Sequence, residues 1–460
     1  MSDGKLRHPP QVGYIVGSEA AERFSFYGMQ SILTVYMLDW LLYAQGDTKA
    51  LYHVFTMAVY LTPLVGGWLA DRFFGRYAII LWVSLGYVAG HAVLALWETR
   101  EGLLVGLALI ALGAGGIKPC VSAFVGDQFG PSENRLLGRV YNWFYFSINL
   151  GSAASKLLVP WLLKTAGPAI AFAVPGVLMA VALLVFWLGR GRYVRAAPSG
   201  PNPHAFVRVV ATALKKLGTG RPGEHWLDAA RASHPEEAIV GAKAVFRIAG
   251  IFAAVTFFWA LFDQKGSSWV LQAKDMDLRV GDVELAASQL QALNPFMVMG
   301  LIPFFTFVAF PALERRGIPL DALRKMTAGM FVTVLSFVAA ALVQTAIDGG
   351  ATPDVLWQVP QYLLLTSGEV LVSVTGLEFS YTQAPRSMRS TIMSIWYLAV
   401  GSGNLLTALV SKLFFFQGAA YFWFFAALML VAAILFALVA RRYRPVAPAL
   451  PEPVRAAAGG

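Results

Sequence analysis

The sequence is poor in cysteine and in charged residues for a chain of 460 residues. Its single cysteine, Cys120, cannot form a disulfide within the chain, so the fold does not depend on oxidation. Charged residues make up 13% of the sequence, whereas soluble domains carry about 25%. This shortage excludes an ordinary soluble domain and leaves a protein that crosses a membrane several times.

Most of the sequence is apolar: 57% of the residues are hydrophobic, and the mean hydropathy is +0.60. The long apolar segments predict twelve membrane-spanning helices, near residues 12–42, 49–70, 77–97, 102–126, 136–162, 168–189, 245–272, 288–312, 322–347, 355–382, 388–414 and 417–441. Each can cross roughly 30 Å of hydrocarbon. The predicted fold class is an all-α polytopic membrane protein with two six-helix bundles.

This pattern divides the chain into four parts. Residues 1–189 form the first six-helix bundle, 190–244 a cytoplasmic linker, 245–442 the second bundle, and 443–460 a disordered cytoplasmic tail. Within the linker, the apolar spacing over 205–217 predicts an amphipathic helix on the inner membrane surface. The alternative is that the linker is a solvated tether.

The net charge of +10 is not spread in the manner of a nucleic-acid-binding protein. Most Lys and Arg residues lie in the two tails and in alternate loops, which places both termini in the cytoplasm. We expect the protein to lie in the cell inner (plasma) membrane. Four basic residues instead lie inside apolar segments: Arg23, Lys118, Lys156 and Lys265.

The first predicted helix contains the run Glu19-Ala-Ala-Glu22-Arg23-Phe-Ser-Phe-Tyr27. Glu19, Arg23 and Tyr27 share one helical stripe, with Glu22 beside them. A charged group at the bilayer centre costs roughly 2.5–3.5 kcal/mol on insertion scales, so such groups usually face a polar cavity. The stripe therefore indicates a functional site; the alternative is a cluster that only joins two helices.

The loops after the second and eighth helices both carry an acid, then arginine, then glycine, in the runs 70–76 and 313–317. This repeat resembles the loop signature of the major facilitator superfamily, whose two bundles alternate access to a central site. Longer motifs lie at 113–129, 144–152 and 368–385. Together with the run at 19–27, they closely resemble the proton-dependent oligopeptide transporter family, over residues 13 to 440.

The resemblance implies a proton-coupled symporter that imports di- and tripeptides, with no enzymatic activity, cofactor or metal. The alternative is a transporter of the same fold for another small anion, such as nitrate. Many bacterial relatives carry two extra membrane helices between the bundles. The linker here is too polar to contain them, so the layout resembles the twelve helices of animal members. The large extracellular domain of animal members is absent, since the loop between helices 9 and 10 is short, so we expect a bacterial member with animal-like motifs.

The resemblance also implies roles for individual residues. The substrate carboxylate would be held by Arg23, Tyr27 and Lys118. The substrate amino group would be held by Asn149, Asn294 and Glu369, with Ser373 one turn from the acid. The cavity and its side-chain pockets would be lined by Tyr60, Tyr145, Trp259 and Trp396. Without the resemblance, the two asparagines are equally compatible with bridging helices.

Proton coupling is expected to involve Glu19, Glu22, Arg23 and Lys118, with ionised Glu22 paired to Lys118. Gln30 stands where many members carry a basic residue, so we predict that His53 replaces it as the partner of Asp263 in an outer gate.

His53 has an alternative role as a neutral histidine within a helix interface. Lys156 fits none of the motifs, and we expect it to extend outward to the membrane surface. Glu378 is a candidate gating group near the cytoplasmic end.

Overall fold

The structure is a computed structural model. It describes residues 9–130, 134–198, 200, 202–218, 224–318, 320–383, 388–413 and 416–443. The predicted disordered tail lies outside the described residues beyond Tyr443.

The first bundle contains six long helices. They are α1 (Gln11–Val35), α2 (Gln45–Leu69), α3 (Arg76–Leu96), α4 (Arg100–Asp127), α5 (Asn134–Ala166) and α6 (Pro168–Leu188). Single π-helical turns extend α1 through Tyr36–Trp40 and α2 through Ala70–Phe74. A 3-10 turn at Gly189–Gly191 ends α6 and leads into the linker.

The described residues of the linker form one α-helix, α7 (Phe206–Lys215), and a 3-10 turn at Trp226–Ala230. On α7, Val209 and Ala213 are fully buried, in the same apolar core as Leu227 and Ile239. Part of the apolar face of α7 is therefore covered by the second bundle, while Leu214 and Leu217 remain exposed. The position of this helix on the inner membrane surface stays a prediction.

The second bundle is more segmented than the first. Its first crossing is α8 (Glu236–Phe262), a 3-10 turn at Asp263–Gly266, and α9 (Ser268–Lys274). A short hairpin of β1 (Arg279–Val280) and β2 (Val283–Glu284) follows. The remaining elements are a 3-10 turn at Ala287–Ala292, α10 (Leu293–Phe304), a π turn at Phe305–Ala309, α11 (Phe310–Arg315), α12 (Ala322–Asp348), a 3-10 turn at Val355–Trp357, α13 (Gln358–Glu369), a π turn at Val370–Val374, α14 (Thr375–Gln383), α15 (Arg389–Leu413) and α16 (Gly418–Arg442).

Twelve crossings in two bundles agree with the prediction, but one boundary differs. Helix α8 begins at Glu236 and not near 245, because its charged first turns extend beyond the apolar segment, and Glu236 and Glu237 complement the helix dipole. We call the end of the bundles joined by the linker the linker end, and the opposite end the far end.

Ten of the twelve crossings are long and apolar enough to span a membrane by length and composition alone. The two less apolar crossings, α1 and α5, carry the buried charged residues Glu19, Glu22, Arg23 and Lys156. Each bundle has its own apolar core. Helix α2 also packs closely against α15, so the bundles meet across a continuous interface.

Close packing of α2 on α4 depends on glycine. A Cβ atom at Gly115 would clash with Thr62, whereas a Cβ atom at Gly86 on α3 would meet no atom within 4 Å. Replacing a helical glycine with alanine normally stabilises the helix by about 0.5–1 kcal/mol. We predict that Gly115→Ala instead destabilises the protein by about 1–3 kcal/mol through overpacking, while Gly86→Ala is neutral or stabilising. Melting temperatures of the two purified variants check this, and equal shifts would contradict it.

Candidate functional site

A cavity of about 140 Å³ lies between the two bundles. The first bundle contributes residues of α1, α2 and α5, and the second contributes residues near the far end of α8 and on α10 and α13. The lining residues are Phe26, Tyr27, Gln30, Tyr52, Tyr60, Ile148, Asn149, Ser152, Lys156, Trp259, Phe262, Asp263, Lys265, Gln291, Asn294, Pro295, Val298 and Glu369. Aromatic and charged groups thus share one enclosed space.

The predicted charged stripe on α1 forms a compact ion cluster. Arg23 Nε lies 3.0 Å from Glu19 Oε1 and also contacts Glu22 Oε2. All three residues are buried. The helical spacing of three and four residues brings these groups together without help from another helix. Arg23 is therefore matched by two carboxylates of its own helix, behind the rings of Phe26 and Tyr27.

Lys118 also lies against aromatic rings, one of them the ring of Phe26. Its ammonium nitrogen lies 4.1 Å from the ring centre of Tyr60 and 4.8 Å from that of Phe26. The predicted ion pair with Glu22 is not formed: the ion pairs among the described residues do not join these two groups. Aromatic rings replace the carboxylate as the neighbours of this cation.

The structure brings together the residues expected to hold an amino group. Asn294 Nδ2 donates to Glu369 Oε2 at 2.7 Å and to Thr366 Oγ1 at 3.1 Å. Asn149 lines the same cavity, and its Nδ2 donates to the carbonyl oxygen of Tyr145 at 3.0 Å. Asn294 therefore fixes one oxygen of the Glu369 carboxylate, which faces the cavity.

A π-helical turn begins directly after Glu369, at Val370–Val374. Such turns insert an extra residue into a helix and often occur at functional sites. Ser373 lies within this turn and is not part of the cavity lining described above. The turn changes the helical phase after Glu369, so the place of Ser373 in the substrate site stays a prediction.

The two predicted tryptophans pack together. The rings of Trp259 and Trp396 meet edge to face at 5.8 Å, but only Trp259 belongs to the cavity lining. Trp396 packs on Phe252 at 5.0 Å and supports Trp259 from behind. Tyr145 also lies outside the lining, with 45% of its surface exposed.

The predicted direct pair of His53 and Asp263 is wrong, because Asn404 lies between them. Asn404 Nδ2 donates to Asp263 Oδ2 at 2.7 Å and to the Val400 carbonyl at 3.1 Å. Its Oδ1 lies 2.7 Å from His53 Nδ1. An amide oxygen only accepts, so Nδ1 carries the hydrogen and donates it.

This hydrogen-bond relay is buried and spans three helical elements. His53 and Asn404 have no exposed surface, and His53 Nε2 lies 2.8 Å from Ser267 Oγ. The relay connects α2, α15 and the 3-10 turn after α8. The two residues predicted to couple are thus joined, but through a neutral amide.

The sequence prediction missed two cations in the cavity wall. Lys156 and Lys265 are only 5% and 7% exposed, and both line the cavity. The expectation that Lys156 extends outward is therefore wrong. Lys156 faces the ring of Tyr27, with its nitrogen 5.1 Å from the ring centre. Its distance of seven residues from Asn149, about two helical turns, was the available signal.

The far ends of the two bundles are joined by polar contacts. Lys274 pairs with Asp39, and Lys412 pairs with Asp47. Deeper in, two hydrogen bonds join α1 to the second bundle. Thr34 Oγ1 donates to the Gly266 carbonyl at 2.6 Å, and Gln291 Nε2 donates to the Ser31 carbonyl at 3.0 Å. The cavity is therefore closed towards the far end.

Two six-helix bundles around a charged central cavity define a membrane transporter of the major facilitator type. The profile of the POT family matches residues 77–424, about three quarters of the chain. The chain belongs to the POT family, which agrees with the resemblance found in the sequence.

The similar proteins include Solute carrier family 15 member 2 of Rattus norvegicus, which is 38% identical over 391 residues, 80% of this chain and 54% of the relative. Peptide transporter 3 of Caenorhabditis elegans is 40% identical over 365 residues, 75% of this chain and 52% of the relative. This chain thus spans about half the length of these curated relatives.

Solved structures match over nearly the whole chain. The POT family transporter PepTSo, crystallised in meso, is 43% identical with a TM-score of 0.90, covering 95% of this chain and 99% of the other. An auto-inhibited POT family peptide transporter is 42% identical with a TM-score of 0.89, covering 95% and 98%.

The Asn404 relay predicts a measurable coupling. His53→Gln and Asp263→Asn should be non-additive in unfolding free energy by at least about 0.5 kcal/mol, because the groups share one network. In an Asn404→Leu background the two effects should add. His91 is the matched control: it is equally buried and lies 2.8 Å from Ser25 Oγ, outside the relay. His91→Gln and Asp263→Asn should add in every background, and additivity of the His53 pair in the wild type would contradict the relay.

Proposed function

We propose that this chain is a proton-coupled symporter that imports di- and tripeptides by alternating access. The observation that carries the proposal is the charge arrangement of the central cavity. The second bundle presents Glu369, fixed by Asn294, and the first bundle presents cations behind and within its wall. A peptide zwitterion has one group for each sign, and charge-assisted hydrogen bonds to both ends are strong.

Family membership supports the same substrate class. The similar animal proteins and solved structures include peptide transporters by name. A nitrate-like anion is not favoured, because it lacks the ammonium group that Glu369 and Asn294 are placed to bind. The substrate amino group would bind Glu369 and Asn294 with Asn149 beside them, and the carboxylate would bind Arg23, Tyr27 and Lys118.

The membrane orientation follows from the distribution of basic residues. The linker and most basic loops lie at one end, and the positive-inside rule places that end in the cytoplasm. Both termini then lie in the cytoplasm of an inner-membrane protein. The closed far end faces outward, so the conformation described here is closed to the outside.

The ion cluster on α1 supports a mechanism for proton coupling. Arg23 is held by Glu19 and Glu22 and cannot bind a substrate carboxylate while both acids are ionised. A proton on Glu22 removes one competitor, so Arg23 can turn towards the substrate together with Lys118. Substrate binding and protonation thus favour each other, as linkage between two sites requires.

The Asn404 relay is proposed as the outer gate. Opening the far end separates α2 from α15, which breaks the contact between His53 and Asn404. The gate would therefore depend on the hydrogen bond of the neutral His53 ring with Asn404 and not on a direct ion pair with Asp263.

Proteoliposomes provide the decisive experiment. An inward proton gradient should drive accumulation of labelled Ala-Ala above its external concentration, and collapse of the gradient with a protonophore should abolish that accumulation. Gradient-driven uptake of nitrate without uptake of Ala-Ala would support the alternative cargo. Saturable Ala-Ala binding without uptake would indicate a receptor and would overturn the proposal.

The proton mechanism predicts the behaviour of Glu22→Gln. The variant cannot exchange a proton at this position, so accumulation driven by the gradient should fall to background, while Ala-Ala counterflow in the absence of a gradient should partly persist. Glu98→Gln is the matched control, because Glu98 is an exposed acid in the connection between α3 and α4. Wild-type accumulation by the Glu22 variant would exclude its role in coupling.

The binding mode predicts the behaviour of Glu369→Ala. Loss of a charge-assisted hydrogen bond costs about 1.5–3 kcal/mol, so affinity for Ala-Ala should fall by roughly ten- to a hundredfold. N-acetyl-Ala-Ala lacks the ammonium group and should lose much less. The comparison is made by competition against labelled Ala-Ala in counterflow. Equal losses for both ligands would show that Glu369 does not bind the amino group.

A further inference from the structure

Lys156 and Lys265 are two basic residues in the part of the cavity wall that lies towards the far end. Lys156 lies two helical turns beyond Asn149 on α5, and Lys265 lies in the 3-10 turn that follows α8. Both side chains are buried from bulk solvent and belong to the same cavity of about 140 Å³. The motifs that identify the family do not explain Lys156.

Neither lysine has a carboxylate partner in the described part of the chain. Lys156 makes no hydrogen bond or ion pair there, and its neighbour is the Tyr27 ring. Lys265 Nζ donates only to the Phe262 carbonyl, at 3.3 Å, and lies over the Phe262 ring. Burying an unpaired charge is costly, so an anion in the cavity would stabilise the charged form of both lysines.

The two carboxylates of the cavity are already engaged by amides. Asn294 donates to Glu369, and Asn404 donates to Asp263. Both lysines interact electrostatically with Glu369 and with Asp263. When a peptide ammonium group binds Glu369, it neutralises one of these two negative charges. A second anion next to that ammonium group would restore the balance with the two lysines.

We propose that Lys156 and Lys265 form a subsite for an acidic side chain on the first residue of the peptide. That side chain branches from the carbon that carries the ammonium group, so its carboxylate lies beside Glu369 whenever the ammonium is bound there. The subsite makes the transporter selective for peptides that begin with Glu or Asp. This proposal rests on the proposed peptide transport and names its substrate class.

The test compares peptides that differ only in one charge. Glu-Ala and Gln-Ala compete against labelled Ala-Ala for uptake into proteoliposomes. In the wild type, Glu-Ala should compete about tenfold better than Gln-Ala, as expected for a charged hydrogen bond. The advantage of Ala-Glu over Ala-Gln should be smaller, because the second side chain points away from the subsite.

Variants at each lysine then assign the effect. Lys156→Gln and Lys265→Gln should each bring the Glu-Ala to Gln-Ala ratio close to one, and Lys156→Arg should keep it. Lys164→Gln is the matched control, because Lys164 lies on the same helix but is exposed and pairs with Glu284. That control should retain the wild-type ratio.

Several outcomes would overturn the subsite. These are equal competition by Glu-Ala and Gln-Ala in the wild type, equal losses for both peptides in the lysine variants, and a variant effect confined to the main-chain carboxylate, seen as loss of preference for Ala-Ala over Ala-Ala amide. If the wild type does not transport Ala-Ala, the proposed function fails first. Thermal stabilisation of the purified protein by Glu-Ala and Gln-Ala then still measures the subsite.

Discussion

The cost of burying charge between the bundles is the constraint on which the structure depends. In a medium of low dielectric constant, an unpaired ion is expensive, so each buried charge requires a partner. Arg23 meets the requirement with two carboxylates of its own helix. Glu369 and Asp263 meet it with side-chain amides from other helices. Partners on the same helix make the Arg23 cluster independent of the second bundle. Partners on other helices connect the helices of the second bundle, and the contact of Asn404 with His53 connects the two bundles.

This difference assigns separate tasks to the two kinds of partner. The α1 cluster can gain or lose a proton without any helix having to move, because all its members belong to one helix. The relay through Asn404 is different, since it joins His53 of the first bundle to the second and breaks when the bundles separate. A coupled transporter needs both a protonation site and a contact that differs between conformations, because a proton shifts the equilibrium only if the conformations bind it with different affinity.

The sequence predicts well those features that depend on neighbours along the chain. Apolar segments locate the twelve crossings, and spacing of three and four residues locates the ion cluster around Arg23. It does not predict Asn404 as a partner of His53, because the two residues are 351 positions apart. It also mispredicts Lys156, because a helix in a membrane is apolar on its lipid-facing side as well as in its core, so hydropathy does not reveal which face is inward. Segmentation at Asp263–Gly266 is missed because the apolar residues on both sides of this short polar stretch make 245–272 long enough to be predicted as one helix.

The departures from the family pattern then have a common physical basis. Gln30 stands where many members carry a basic residue, and its amide donates to Thr56 Oγ1 at 3.5 Å, a weak neutral contact. The deep contacts of the far end, such as Thr34 to the Gly266 carbonyl, are likewise neutral hydrogen bonds. These closing contacts therefore do not involve the lysines of the cavity wall. In the proposed subsite, Lys156 and Lys265 therefore face the contents of the cavity, and the acidic side chain of the ligand supplies their partner.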